Sequence, residues 1–258
     1  MPNTVYPNFF LANEIEDQYN SHLDLQQFCT VNNDLVGVAG MQWKVNVYTA
    51  TNGTEKLAMG VGNTQTITAG YAQTPYTILL AQNRFKYFDE EEMTDPIMVQ
   101  TGTRHMGTDL FNTVNADAIA EFNNATLSVT PPAGGIDFDV VVDAVALMNL
   151  ENLEGTSIFG LINPTQVATF RKNLKNTLQY VEAWAKQGYI GTVGGVSFYT
   201  SKIVTDPIIA TKEAVTVFNK KGVEVEQERD ANTRENTVYS RKYYLCALTD
   251  ATKVVKIA

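Results

Sequence analysis

Residues 188–204 read GYIGTVGGVSFYTSKIV, with Gly188, Gly191, Gly194 and Gly195 ahead of a β-branched and aromatic run. Glycine-rich turns hold phosphate when backbone amides and a helix N-terminus converge on the anion. A P-loop requires Gly-Lys-Ser/Thr after its glycines, and none follows Gly195. A dinucleotide fingerprint runs from a strand through glycines into a helix, whereas here a helical pattern comes first and a strand pattern afterwards. The spacing predicts a turn between a helix end and a strand, with glycine supplying positive φ.

The other groups with chemical potential are scattered. His22 and His105 have no second His or Cys at ligand spacing, so no metal site is expected. Cys29 and Cys246 lack CxxC or Cys/His companions and are expected as buried free thiols. Ser197 and Ser201 lie on a strand pattern outside any G-x-S-x-G elbow. Asp89, Glu90, Glu91 and Glu92 are expected as a solvated cap at a strand end, ahead of a helix whose dipole they favour. Carboxylate pairs able to move protons form in space and leave no pattern in sequence. No catalytic, cofactor-binding or metal-ligating residue is assigned; the chain reads as a non-enzyme without a cofactor.

The 258 residues are 44% hydrophobic and 18% charged, an ordinary globular balance. No run approaches the roughly 20 apolar residues of a membrane-spanning helix. The opening residues lack a basic n-region and an apolar h-region, so the chain is expected to stay in the cytoplasm where it is made. A net charge of −9 works against tight nucleic-acid binding. The nearest basic pair, Lys220 and Lys221, falls in an expected hairpin turn.

The elements follow from periodicity. Trp43, Val45, Val47 and Thr49 alternate with Lys44, Asn46 and Tyr48, the pattern of a half-buried strand. A Gly- and Thr-rich stretch follows, and 76–88 returns as a second strand. Together they predict a protruding hairpin, and because an isolated two-stranded ribbon is marginally stable, a neighbouring molecule is expected beneath it. Thr94-Asp95-Pro96 supplies a cap and a proline for a long helix reaching about Phe122. Phe111, Val114, Ala118 and Phe122 share its apolar face beside Leu110, and Gly102 and Gly107 are tolerated costs within it. Asp137 is expected to cap a helix facing inward through Phe138, Val141, Val142, Val145 and Met148. A buried strand is expected at 156–162. Asn163 as cap, Pro164 and Gln166 in a capping box start the next helix, with Val167, Phe170, Leu174 and Val181 inward. After Pro207 the chain is mostly extended, with a hairpin turning at Lys220-Lys221-Gly222 and a last strand in KVVKIA. The fold class is α+β, with two compact parts and two projections.

Taken in order, these pieces resemble the major capsid protein of tailed bacteriophages, the Hong Kong ninety-seven type shell fold shared with encapsulins. INPTQVATFRKN is similar to that family's strand, Asn-Pro and helix with an Arg-Lys pair. GYIGTVGGVSFYTSKIV resembles its Gly-x-x-Gly turn and following strand. The tail from KEAVTVFNKKGVEVEQERD through KVVKIA resembles its closing section. The resemblance covers most of the chain from about Trp43 onward and rests on order and spacing, since no single motif is specific.

The resemblance implies an N-terminal arm (1–36), an extended loop (44–89), a peripheral domain (37–43, 90–134 and 208–258) containing a long spine helix, and an axial domain (135–207). It implies self-assembly into pentamers and hexamers of an icosahedral head enclosing double-stranded DNA, with an encapsulin-like compartment shell as the alternative. The expected partners are copies of the chain itself, a separate scaffolding protein, a portal and packaged DNA touched non-specifically, with no membrane. The expected location is the virion, after assembly in the host bacterial cytoplasm. No long scaffolding segment precedes the arm, so a scaffold would be a separate protein. Some relatives cross-link a lysine to an asparagine. Lys56 and Asn63 lie in the loop without a pattern that licenses that reaction.

Overall fold

The computed structural model describes residues 25–151, 155–174 and 189–258. The arm up to residue 24, His22, Val181 and Gly188 lie outside the described residues. The expected α+β class is what forms. β1 (Thr30–Asn32), β10 (Val215–Asp230), β11 (Glu235–Leu248) and β4 (Leu79–Phe88) make a four-stranded sheet in that order. β5 (Leu127–Val129), β12 (Val254–Ile257), β9 (Ile208–Thr211), β6 (Ile158–Ile162), β8 (Val196–Thr200) and β7 (Tyr189–Val193) make a six-stranded sheet. β2 (Gln42–Ala50) and β3 (Ala69–Thr77) pair with each other alone. The helices are α1 (Asp89–Thr94), α2 (Pro96–Asn123), α3 (Phe138–Leu147) and α4 (Pro164–Leu174).

The Asp95 side chain accepts from the amide of Ile97 at 3.1 Å, and α2 then runs for 28 residues. Val114, Ala118 and Phe122 are buried on its inner face, with Leu110 beside them as the spacing predicts. Val114, Ala118 and Phe122 join Val217, Tyr244 and Cys246 of the four-stranded sheet and Phe159 and Leu161 of the six-stranded one in a single core. Phe122 meets Phe159 edge to face, with ring centroids 5.9 Å apart. Removing such a ring costs about 3–5 kcal/mol, because the cavity collapses only in part. The helix therefore binds both sheets together. Gly102 serves a different purpose from the tolerated cost expected of it. A Cβ there would lie 2.6 Å from the Phe85 ring of β4, so glycine lets helix and strand approach.

The six-stranded sheet packs on α3 and α4. Every residue of β6 is buried, and β8 runs parallel to it after the α4 crossover. Asp137 accepts from the Val140 amide at 3.0 Å and caps α3 as expected. The inner face of α3 is Val140, Val141, Ala144 and Met148, whereas Val142, expected inward, is 42% exposed. One residue is a 100° step on a helix, and Val142 falls on the far side of Val141. Asn163 caps α4 by accepting from the Thr165 amide at 3.0 Å. Gln166 closes no box, since its Oε1 accepts no hydrogen bond among the described residues while its Nε2 donates to the Thr205 carbonyl at 3.5 Å. The six-stranded sheet also takes β9 and β12 from the 208–258 segment, so position 207 is no boundary between sheets.

Three turns fall elsewhere than the sequence pattern predicts. The hairpin partner of β2 is β3, and the 76–88 run divides at buried Ile78, beyond which β4 pairs with β11. Lys220-Lys221-Gly222 forms a bulge within one 16-residue strand, because β10 keeps its pairing with β11 on both sides of it. The true turn lies at 231–234, where Asp230 accepts from the Asn232 amide at 2.8 Å and Arg234 sits at φ 58°. Gly194 and Gly195, at φ 57° and 83°, form the two-residue turn of a β7–β8 hairpin, with Val193 opposite Val196. Positive φ at both central residues is the turn whose twist suits flanking strands. The glycines thus join two strands, where a helix-to-strand turn was expected.

Candidate assembly surface

The β2–β3 hairpin leaves the molecule at Met41 and Ile78, where the Ile78 amide donates to the Met41 carbonyl at 2.8 Å. Trp43 and Tyr76 are register partners on its two strands. Both rings meet Phe218 of β10, at centroid separations of 6.1 and 5.6 Å. The Tyr76 hydroxyl donates to the Leu248 carbonyl at 3.4 Å, and burial, then the charge of Glu121, raises its pKa. Each aromatic contact is worth about 0.5–1.5 kcal/mol beyond the area it buries. Tyr48 and Tyr71 face each other across the strands with centroids 6.1 Å apart, yet they are 73% and 69% exposed.

The 51–68 connection at the hairpin's end has little regular pairing, but side chains hold its shape. Glu55 accepts from the amide and the hydroxyl of Thr64 at 3.1 and 3.2 Å. Asn63 accepts from the Gln65 amide at 2.7 Å and donates to the Gly53 carbonyl at 3.2 Å, so its amide group is engaged within the loop. Thr51 accepts from the Thr68 amide at 2.9 Å. On this frame Leu57, Met59, Val61 and Ile67 are exposed. Large apolar side chains displayed together on one projecting element make it a candidate contact surface.

The residues singled out for chemistry go elsewhere. Asp89, expected in a solvated cap, is 8% exposed and accepts from Arg229 Nη2 and Asn236 Nδ2, each at 2.6 Å. Those hydrogen bonds, with Arg229 first, hold its carboxyl below the usual range. Glu91 accepts from the Phe88 amide at 2.9 Å, and Glu90 pairs with Arg234 at 2.8 Å. The run is thus a short helix fastened to the tip of the β10–β11 hairpin. No sequence signal joins Asp89 to Arg229, because the pair forms only when distant strands align. His105 is exposed on α2 and lines an open groove of about 660 Å³ with Phe85, Ile97 and Met98. Among the described residues, no three His, Cys, Asp or Glu side chains gather as metal ligands.

Cys29 and Cys246 are free, buried and in the same core. Burial pushes the Cys29 thiol up to about 12 and raises that of Cys246 as well, so both stay protonated at neutral pH. Lys220 donates to the carbonyls of Leu35, at 3.1 Å, and Val38. Lys221 pairs with Glu224 at 2.9 Å.

Solved structures of a phage capsid and of a virus-like particle share this fold. The capsid of Ralstonia phage GP4 superposes with a TM-score of 0.66 at 11% identity, covering 89% of this chain and 86% of that one. A virus-like particle from Pyrococcus furiosus superposes with a TM-score of 0.65 at 12% identity, covering 97% of this chain and 98% of that one. The major capsid protein of Staphylococcus phage phiMR11 is 29% identical over 152 residues, 57% of this chain and 54% of that protein. The match therefore spans about half the length of that relative. The family model described as phage capsid protein matches residues 82–257, from the edge strand of the four-stranded sheet to the last strand of the six-stranded one. With that match, the chain belongs to the phage capsid protein family.

Proposed function

We infer that this chain is a major capsid protein, and that the β2–β3 hairpin is the extended loop by which each copy lies across its neighbour. The observation that carries this reading is the hairpin itself: rooted by Trp43 and Tyr76 on Phe218, and displaying Leu57, Met59, Val61 and Ile67 at its far end, exposed among the described residues. A ribbon of two strands gains its stability from what it lies on. In this reading the copies form pentamers and hexamers of an icosahedral head around double-stranded DNA, located in the virion after assembly in the bacterial cytoplasm. Residues 37–43, 90–134 and 208–258, around α2 and the four-stranded sheet, serve as the peripheral domain, and residues 135–207 as the axial domain at capsomer centres. Contacts within such a ring are heterologous, and closure of the shell is what ends growth. A separate scaffolding protein and a portal complete the partners, and the net charge of −9 suits a wall that holds DNA loosely. The role is structural and needs no cofactor.

Negative-stain electron microscopy of the purified chain, alone and with a co-expressed scaffold, tests this reading. Shells or capsomer rings support it, and shortening the 51–68 connection should abolish them while the monomer still folds. A wild-type chain that stays monomeric under both conditions overturns it. The likeness to the Pyrococcus furiosus particle favours a second reading, a compartment shell holding protein cargo. Packaged DNA against co-purified protein separates the two.

A further inference from the structure

Residues 218–220 of β10, at the edge of its bulge, contact the lead-in and both strands of the hairpin's root. β1 pairs with β10 as far as Asn32 opposite Phe218, and the chain then leaves the sheet toward β2. From there Asn219 donates to the Asn33 side chain at 3.1 Å. Lys220 Nζ donates to the Leu35 carbonyl at 3.1 Å and to the Val38 carbonyl. Immediately before them Phe218 lies against Trp43 on one hairpin strand and Tyr76 on the other. Three consecutive residues thus hold the lead-in and both strands, at the place where β10 shifts register against β11. A bulge bends its strand and increases the local twist, so whatever is fastened to it takes its direction from the bend.

We propose that Phe218 and Lys220 set the angle at which the β2–β3 hairpin leaves the four-stranded sheet, and so are positioning residues for its docking on a second copy of this chain. The proposal rests on the reading of the hairpin as the docking element. The ammonium suits the task, since one cation with three donors can hold two carbonyls of a loop by charge-assisted bonds. The basic pair met in the sequence is then an internal fastening of the protein.

Hydrogen exchange of the isolated protein, followed on peptides covering 33–50 and 69–78, measures the anchoring directly. Lys220→Met keeps the stem and removes the donors. It should speed exchange in both peptides about tenfold or more, while the global unfolding midpoint moves little. Phe218→Leu, which keeps most of the apolar volume, should act in the same direction, and Lys220→Arg should restore slow exchange. Assembly, followed by light scattering and microscopy, should be slowed or give irregular particles in Lys220→Met and recover in Lys220→Arg. Unchanged exchange in both Lys220→Met and Phe218→Leu overturns the proposal. Faster exchange with normal shells also overturns it, by separating anchoring from docking. If shells form equally well with the 51–68 connection shortened, it is the docking reading that fails, whatever the exchange data show.

Discussion

Arg229 of β10 donates to the Asp89 carboxylate at 2.6 Å, across a sequence separation of 140 residues, and fastens the tip of the β10–β11 hairpin to the first residue of α1. Asn236 donates to the other carboxylate oxygen, and the Asp89 amide donates to the Arg234 carbonyl at 3.2 Å. One buried side chain therefore joins the end of β4, the start of α1 and both strands of the hairpin. The Arg229 side chain is 41% exposed, so solvent screens part of its attraction, and the hydrogen bonds carry much of the effect.

This arrangement predicts an acid dependence with a definite sign. The Asp89 pKa lies below its ordinary value of 3.8, first through the Arg229 hydrogen bond and then through Asn236. A carboxylate depressed in the folded state stabilises above the unfolded pKa, and that contribution is lost as pH falls through the folded one. Asp230, also lowered by hydrogen bonds at the turn, loses its contribution in the same direction. Urea unfolding of wild type and Asp89→Asn should differ by a constant gap at neutral pH, closing as pH falls below about 3.8. A gap of equal size at pH 3 and pH 7 would refute the assignment.

Gly195 provides a test of the turn against a ligand role. A Cβ there meets nothing within 4 Å, so a substitution acts through the backbone alone at φ 83°. Gly195→Val should cost about 1–2 kcal/mol or more, and Gly195→Asn distinctly less, because asparagine tolerates the left-handed region. Thermal unfolding of the two variants checks the order, and equal costs would count against the turn.

At Gly102 helix propensity and packing oppose each other. Propensity alone makes Gly102→Ala stabilising by about 1 kcal/mol. With the Phe85 ring 2.6 Å from the new methyl group, the substitution should instead destabilise. In a Phe85→Leu background the same change should become less harmful or favourable, which a double-mutant cycle reads as coupling between neighbours. Additive effects would show that the ring moves aside freely.

Part of this molecule was legible in the chain because its causes are local. Asp95 and Pro96, Asp137, and Asn163 with Pro164 start their helices through partners two or three residues away, and Val114, Ala118 and Phe122 lie on one face by helical spacing. The order of those elements was enough to suggest a capsid shell. Local patterns misled where a distant partner overruled them. Lys220-Lys221-Gly222 has the composition of a turn, yet β11 pairs on both sides of it and keeps the strand continuous. The acidic run looked solvated until Arg229 and Asn236 reached Asp89. Composition and period report what a residue does with its near neighbours, and they determined the longer helices and many of the strands, while β3 and β7 left no separate pattern. Which strand pairs with which, where the hairpin is rooted and which charge is buried depend on contacts between residues far apart in the chain, and only the tertiary structure decides those.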